Sequence, residues 1–373
     1  MKENRINFVI NSLDPYQYEI VNLLALPSGS KFRFRYQDKW IDKNCFSKNL
    51  LKNGLNGFIF LNHASKFLGD AANSDKKDSN EKFFSEYYPL RKIKYIKHEE
   101  VGSICYFECE LLDYFNYPNN KFIGSDDNKR INSSLNREDG ALVFVDANDR
   151  DLVNKEANEP DTNIDNRSWV RTVEALSAVD ALSHLDFYRI SGIRCTNSAK
   201  DSLINNKNGI FDLYELDSYE LVLTQWRKTT EFSKTDGSDK RGIRVVETSH
   251  VTATQPFAMA LGKYDILKLA ITLPAVIYKT KSFLQLDYFV IPSVERIMDN
   301  SIRLPIVINK KPVSIIKRVV LLLTLCVAYL APNLFPLFLD QDFSIDGAQL
   351  LRDLSIIAVT ITLVDLYNVS RKK

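Results

Sequence analysis

Four histidines and five cysteines in 373 residues leave little material for a metal centre or for a nucleophile paired with a base. The cysteines are scattered at Cys45, Cys105, Cys109, Cys195 and Cys326, and the histidines at His63, His98, His184 and His250. Only Cys105 and Cys109 are close. They fall in the alternating run SICYFECELL, on the face that also holds Phe107 and Leu111, so they are expected as reduced core thiols with no metal between them. No glycine-rich phosphate loop, no H-E-x-x-H zinc motif and no G-x-S-x-G elbow occurs. Ser28-Gly29-Ser30-Lys31 precedes a strand and reads as a turn. Asp146, Asn148, Asp149 and Asp151 cluster in VDANDRD, without the glycine and closing glutamate of a calcium loop. His184 and Asp186 stand two apart and share no helix face. No catalytic residue, cofactor or metal site is assigned, and the expectation is a non-enzymatic protein.

An excess of one charge is also lacking. The net charge is +2, which gives the whole chain no field for a polyanion, so a nucleic-acid role would need a local patch. The N-terminal MKENRINFVINSLDPYQ has no apolar run of leader length, and the body is expected in the cytoplasm.

What the sequence does have is a long apolar run near its end. Val319 to Leu339 carries no charge and, at about 1.5 Å per residue, is long enough to cross a hydrocarbon core about 30 Å thick. A second run, Leu354 to Tyr367, spans a bilayer if it starts near Ala348, with Arg352 and Asp353 at headgroup level. Together they read as a transmembrane hairpin. The alternative is one span followed by an interfacial or buried helix. Lys310, Lys311, Lys317 and Arg318 precede the first run, and Arg371, Lys372 and Lys373 follow the second. The intervening loop holds Asp340, Asp342, Asp346 and Asp353. Basic flanks stay in the cytoplasm, so both termini are expected there, in a multi-pass protein of the inner membrane.

Small and hydroxyl residues form a stripe on each span: Thr324, Ala328 and Ala331 on the first, Ser355, Ala358, Thr362 and Asp365 on the second. Such stripes let helices approach closely and hydrogen-bond in lipid. They serve either to pack the two spans together or to join copies of the hairpin in a homo-oligomer.

The rest of the chain reads as mainly β with minor α, in antiparallel sandwich or barrel-like domains. A β-rich domain is expected over residues 1–118. Asp14-Pro15 opens a short helix in it, and SKFRFRYQDKWI alternates Phe32, Phe34 and Tyr36 against Lys31, Arg33 and Arg35. Residues 119–140 read as a polar linker or loop. A second β-rich domain covers 141–290 and contains one amphipathic helix in WVRTVEALSAVDALSHLDFY, with Trp169, Val173 and Leu176 on its apolar stripe. Asp236-Gly237 suits a tight turn between two of its strands. Residues 291–318 form a basic juxtamembrane connector, unsuited to one continuous helix because of Pro305 and Pro312, and 319–373 the hairpin.

If the strands bearing Arg33 and Arg35 and those bearing Lys92 and Lys94 lie side by side, their outer faces form a basic strip. Such a strip would suit anionic headgroups, a nucleotide or single-stranded nucleic acid. A solvated sheet face gives the same pattern, and Asp38, Glu99 and Glu100 lie nearby in sequence, so neither a nucleotide nor nucleic acid is the favoured partner.

The plan of a large cytoplasmic part followed by two C-terminal spans resembles the two-transmembrane effectors of bacterial anti-phage defence. The resemblance is one of architecture and lies in the anchor. It implies a sensor whose ligand or cytoplasmic protein partner makes the spans assemble and breach the inner membrane. A membrane-tethered adaptor that recruits a partner and leaves the bilayer intact is the alternative.

Overall fold

The computed structural model describes residues 4–12, 14–66, 83–115, 117, 135, 137, 139–146, 164–177, 179, 182, 185–197, 203–204, 206–228, 240–259, 262–291 and 301–311. Both expected spans with their stripes, Lys317, Arg318 and the basic C-terminus lie outside the described residues, as do His184, the Asp236-Gly237 turn and most of the VDANDRD cluster. Among the described residues no helix is long and apolar enough to cross a membrane. The protein is mainly β there, with 61% of residues in strands and 14% in helices, and its sheets are curled.

The first sheet is built from β1 (Arg5–Asn11), β2 (Lys31–Gln37), β3 (Asn56–Lys66), β4 (Phe83–Val101), β5 (Ile104–Tyr114) and β6 (Val143–Asp146), in the order β2-β5-β4-β3-β1-β6. All neighbours are antiparallel except β1 and β3. Bulges at Arg91/Ile93 and Tyr95/Lys97 bend the long β4–β5 hairpin, as unpaired extra residues do. The curl brings the sheet back on itself. Trp40 and Asp42, just past β2, bond to Leu142 and Val143 of the β6 segment at 2.8 Å each. The result is a small barrel, filled by Phe8 stacked on Phe34 at 5.0 Å and edge-on to Phe107 at 5.3 Å. The alternation of β2 sends these rings inward and its arginines outward.

Helix α1 (Asp14–Ala25) starts at the expected Asp-Pro pair and lies between the barrel and the second unit. The last carbonyls of a helix have no partner within it. Here three side chains from elsewhere meet them. Arg91 Nη1 donates to Leu23 and Leu26, 2.7 Å each, and Tyr114 Oη donates to Leu24 at 2.7 Å. Trp169 Nε1 also donates to Leu24, at 3.2 Å.

A one-turn helix α2 (Asn44–Ser47) precedes β3, and α3 (Ile164–Ser177) buries Trp169, Val173 and Leu176 completely, the stripe read from sequence. The helix stops earlier than the sequence pattern suggests. Asp186 to Cys195, whose first residues complete that pattern, form strand β7. Its burial on both faces removes the alternation that marks a half-exposed strand.

The second unit has two five-stranded sheets, β12-β14-β10-β7-β8 and β13-β11-β15-β16-β9. Besides β7 they comprise β8 (Leu203–Ile204), β9 (Phe211–Tyr214), β10 (Ser218–Arg227), β11 (Lys240–Val246), β12 (Thr252–Gln255), β13 (Phe257–Met259), β14 (Tyr264–Thr272), β15 (Thr280–Ile291) and β16 (Ser301–Asn309). At one edge the chain passes from sheet to sheet across Pro256, between β12 and β13. At the other it passes through the turn between β8 and β9. The sheets therefore form a flattened, nearly closed sandwich around Leu221, Leu269, Leu286 and Leu304, all fully buried.

Two strands reach across the domain bounds read from sequence. β6 completes the first sheet from beyond residue 118, and β16 lies within the stretch read as a connector. Pro305 is accommodated in β16 because β9 begins only opposite Ile306, so the missing N–H faces no strand partner.

The barrel docks on one end of the sandwich. Gly209, at φ 72°, sits so close to Ser30 that any Cβ would collide with its backbone. Tyr288 Oη donates to Asn22 of α1 at 3.4 Å. The strands then run about 30 Å, at about 3.4 Å per residue, to the opposite end, where β16 finishes.

Candidate functional site

Arg33 and Arg35 lie exposed on β2, Lys94 exposed and Lys92 half-buried on β4. The strands are not neighbours, because β5 runs between them. Register sets Arg33 opposite Glu108 and both Lys31 and Lys94 opposite Glu110. Lys31 and Lys97 both pair with Glu108, at 3.0 and 3.5 Å, and the hydrogen bond from Lys31 holds that carboxyl below its usual range. Arg33 pairs with Glu99 at 2.8 Å and lies 4.2 Å over the Tyr106 ring. The strip is a zipper of alternating charge. Pairs of this exposed kind contribute about 0–1 kcal/mol each, and they leave the face without the one-signed field that a polyanion needs.

The cysteines occupy packed positions. Cys45, Cys105 and Cys109 are buried free thiols, and Cys195 is half-buried. Burial pushes Cys105 up to about 12 and Cys45 up to about 11. Cys105 and Cys109 are four residues apart on one strand, about 13 Å, beyond the reach of about 7 Å that a disulfide allows. His63 accepts from or donates to Ser12 Oγ at 3.1 Å, and His98 shares a proton with Tyr95 Oη at 2.6 Å. The first is a serine–histidine pair, but Ser12 is buried and closed to a substrate; the second joins a histidine to a tyrosine. Among the described residues no group of three His, Cys, Asp or Glu is placed to hold a metal ion.

A different set of residues converges where the barrel meets the sandwich. Arg167, Val170, Arg171 and Glu174 of α3 face Trp226 at the end of β10 and Lys263–Tyr264 at the start of β14, around a cleft of about 570 Å³. The apolar stripe of α3 fixes this arrangement. Trp169 and Val173 anchor the helix on the barrel side, which turns Arg167 and Arg171, one helical turn apart, toward the sandwich. Arg171 Nη1 also donates to the Tyr117 carbonyl at 2.9 Å. Lys263 Nζ stands 5.5 Å over the Trp226 ring.

Beneath the cleft, Arg227 forms a two-pronged pair with Asp186, 2.6 Å for each bond. The pair is largely buried, and the bond from Asp186 raises the guanidinium above its usual range. The Arg227 amide donates to Lys263 O at 2.8 Å, so this pair fixes the Lys263 backbone.

Three cations, one carboxylate, an indole and a phenol thus line one cleft. Cations supply charge-assisted hydrogen bonds, Trp226 is buried at the floor while Tyr264 exposes its ring, and no lining residue pairs a nucleophile with a base. The cleft therefore gathers more positive than negative charge at one surface of α3. Sequence reading found α3 but not this site. Trp226 and Lys263 lie far from α3 along the chain, and only the pairing of β10 with β14, Trp226 opposite Tyr264, brings them together. No protein-family model matches the chain, and no curated protein matches it.

Proposed function

We propose that this chain is a membrane-anchored, non-enzymatic sensor and effector. Its β-rich body receives an anionic ligand or a cytoplasmic protein partner at the cleft between α3 and the sandwich. Its two C-terminal spans then assemble as a homo-oligomer and perturb the inner membrane, as the resemblance to anti-phage effectors implies. The observation that carries this reading is the uncharged run Val319–Leu339, joined through only the seven residues Pro312–Arg318 to the sandwich that forms the cleft. β10 and β14 each extend from the cleft toward the end where β16 hands the chain to the anchor. An occupant that bridges α3 and these strands would bias how the barrel sits on the sandwich, and hence how neighbouring copies meet.

Impermeant-dye entry into cells that overproduce the full chain tests the effector part. Raised concentration drives assembly by mass action, so dye should enter. Dye exclusion from cells whose membranes hold the intact chain would favour the tethered adaptor.

The cleft is tested separately with the purified chain. Mononucleotides, which join phosphate to a flat ring that the exposed Tyr264 can meet, should change the intrinsic fluorescence of the chain and saturate. Arg167→Gln with Lys263→Gln should weaken the apparent affinity about tenfold or more per cation, the scale of a hydrogen bond to a charged group. An unaltered fluorescence response in that double variant would remove the cleft from the reading.

A further inference from the structure

The end of the sandwich opposite the barrel carries a surface that the sensor reading does not use. β16 finishes there at Asn309, beside the end of β9 at Tyr214 and the start of β15 at Thr280. The corner 214–217 and the loop 273–279 cap this end and are clasped together. Glu215, almost fully buried, accepts from the Val276 amide at 2.8 Å. Leu216 N donates to Leu273 O at 3.0 Å and Leu273 N donates to Asp217 O at 3.2 Å.

This clasp presents large apolar side chains to the outside. Leu216 is 61% exposed, Tyr278 64% and Tyr214 45%. Leu216 moreover adopts φ 58°, a left-handed conformation that is strained for a residue with a Cβ and that Gly or Asn fills readily. The position therefore sustains two costs, strain and exposure, that a polar turn residue would remove.

Lysines surround the apolar tip. Lys279 and Lys281 are exposed and have no acidic partner among the described residues, while Lys311 is matched by Asp217 at 2.6 Å. Asp212 and Glu247 accept only from neutral donors, the Asn309 side chain and the Ala253 amide, and keep their charge, so the pull on an anionic surface comes from Lys279 and Lys281 at the tip itself. From Lys311 only Pro312–Arg318 remain before the apolar run, a tether of at most about 25 Å. On the reading that this run spans the bilayer, this end of the sandwich cannot stand far from it.

From these features we infer that the Leu216–Tyr278 end of the sandwich rests on the headgroup layer of an anionic membrane. Leu216 and Tyr278 enter the interfacial zone, where a tyrosine has its ring in apolar surroundings and its hydroxyl in water. Lys279 and Lys281 face lipid phosphates. The docked body then stands upright, with the α3 cleft at the far end and open to the cytoplasm. The inference rests on the anchor reading but is separable from it, because a chain can be anchored and still hold its body away from the surface.

The test uses the full chain in vesicles of phosphatidylcholine and phosphatidylglycerol, with an environment-sensitive dye on Leu216→Cys or, at the distal β4–β5 turn, Val101→Cys. The unsubstituted chain, labelled in parallel, gives the blank for native thiols. A lipid with a nitroxide on its headgroup should quench the dye at 216 and leave the dye at 101 bright. Lys279→Glu with Lys281→Glu, or vesicles of phosphatidylcholine alone, should lower the docking constant about fivefold for each lysine that no longer meets a lipid phosphate. In detergent, Leu216→Asn should melt no lower than the unaltered chain, whereas a leucine needed by the fold would lower the midpoint. Equal quenching at 216 and 101 in chains that resist carbonate extraction overturns the docking and leaves the anchor standing. Release of the chain by carbonate overturns both.

Discussion

Replacing Arg91 with methionine is expected to destabilise the protein by about 3–5 kcal/mol, because the buried carbonyls it serves each lose a donor at a cost of about 1–3 kcal/mol. The side chain is fully buried, and its guanidinium ties two separate parts of the fold together, β5 and the end of α1. Nε donates to Leu112 O of β5 at 2.7 Å, and Nη1 serves two carbonyls at the end of α1. The Tyr114 ring lies 4.3 Å beneath it. Methionine fills a similar volume but donates nothing, so buried carbonyls at the negative end of the helix are left without their charged partner. Arg91→Lys should recover less than half of the loss, since one ammonium cannot reach carbonyls on both sides as a planar fork does. Denaturant midpoints of the three proteins measure this. A loss under about 1 kcal/mol for methionine would mean that Tyr114 and Trp169 cap the helix unaided.

That hub also shows what could be read from the sequence and what could not. The alternation of β2 and β5, the Asp-Pro start of α1 and the Trp169–Val173–Leu176 stripe are local, and each reports which face is buried. Arg91 gives no local sign of its partners. It sits in LRKIKYIK, on the alternating face of Ile93 and Tyr95, but nothing local names the α1 carbonyls that make a cation stable there. The basic strip failed for the same reason. Arg33 and Lys94 do project outward, but sheet order is decided by long-range pairing, which placed the glutamates of β5 between them. β7 and β16 were obscured by burial on both faces and by Pro305. The cleft, assembled from one helix and the ends of two strands, has no contiguous sequence signature at all.

On the proposed hairpin, the largest functional effect is expected at Thr362, in the second apolar run. Ser355, Ala358, Thr362 and Asp365 recur at spacings of three, four and three, which sets them on one helical face. If copies of the hairpin join through this face, Thr362→Leu deletes an interhelical hydrogen bond worth about 0.6 and at most about 2 kcal/mol per contact. The loss is repeated at every copy of an assembly, so dye entry should fall to background although each contact is weak. Insertion should persist, because leucine favours the bilayer more than threonine does. Asp365→Asn separates charge from hydrogen bonding: it keeps a polar side chain on the stripe and removes the carboxylate that a water-lined path would use. Ile357 and Leu363, off the stripe, should tolerate exchange among apolar residues. A tethered adaptor makes the opposite forecast, since a passive anchor needs only hydrophobic length. Equal dye entry for Thr362→Leu and Leu363→Ile, at equal membrane levels, would therefore count against assembly through the stripe and leave the hairpin a simple tether.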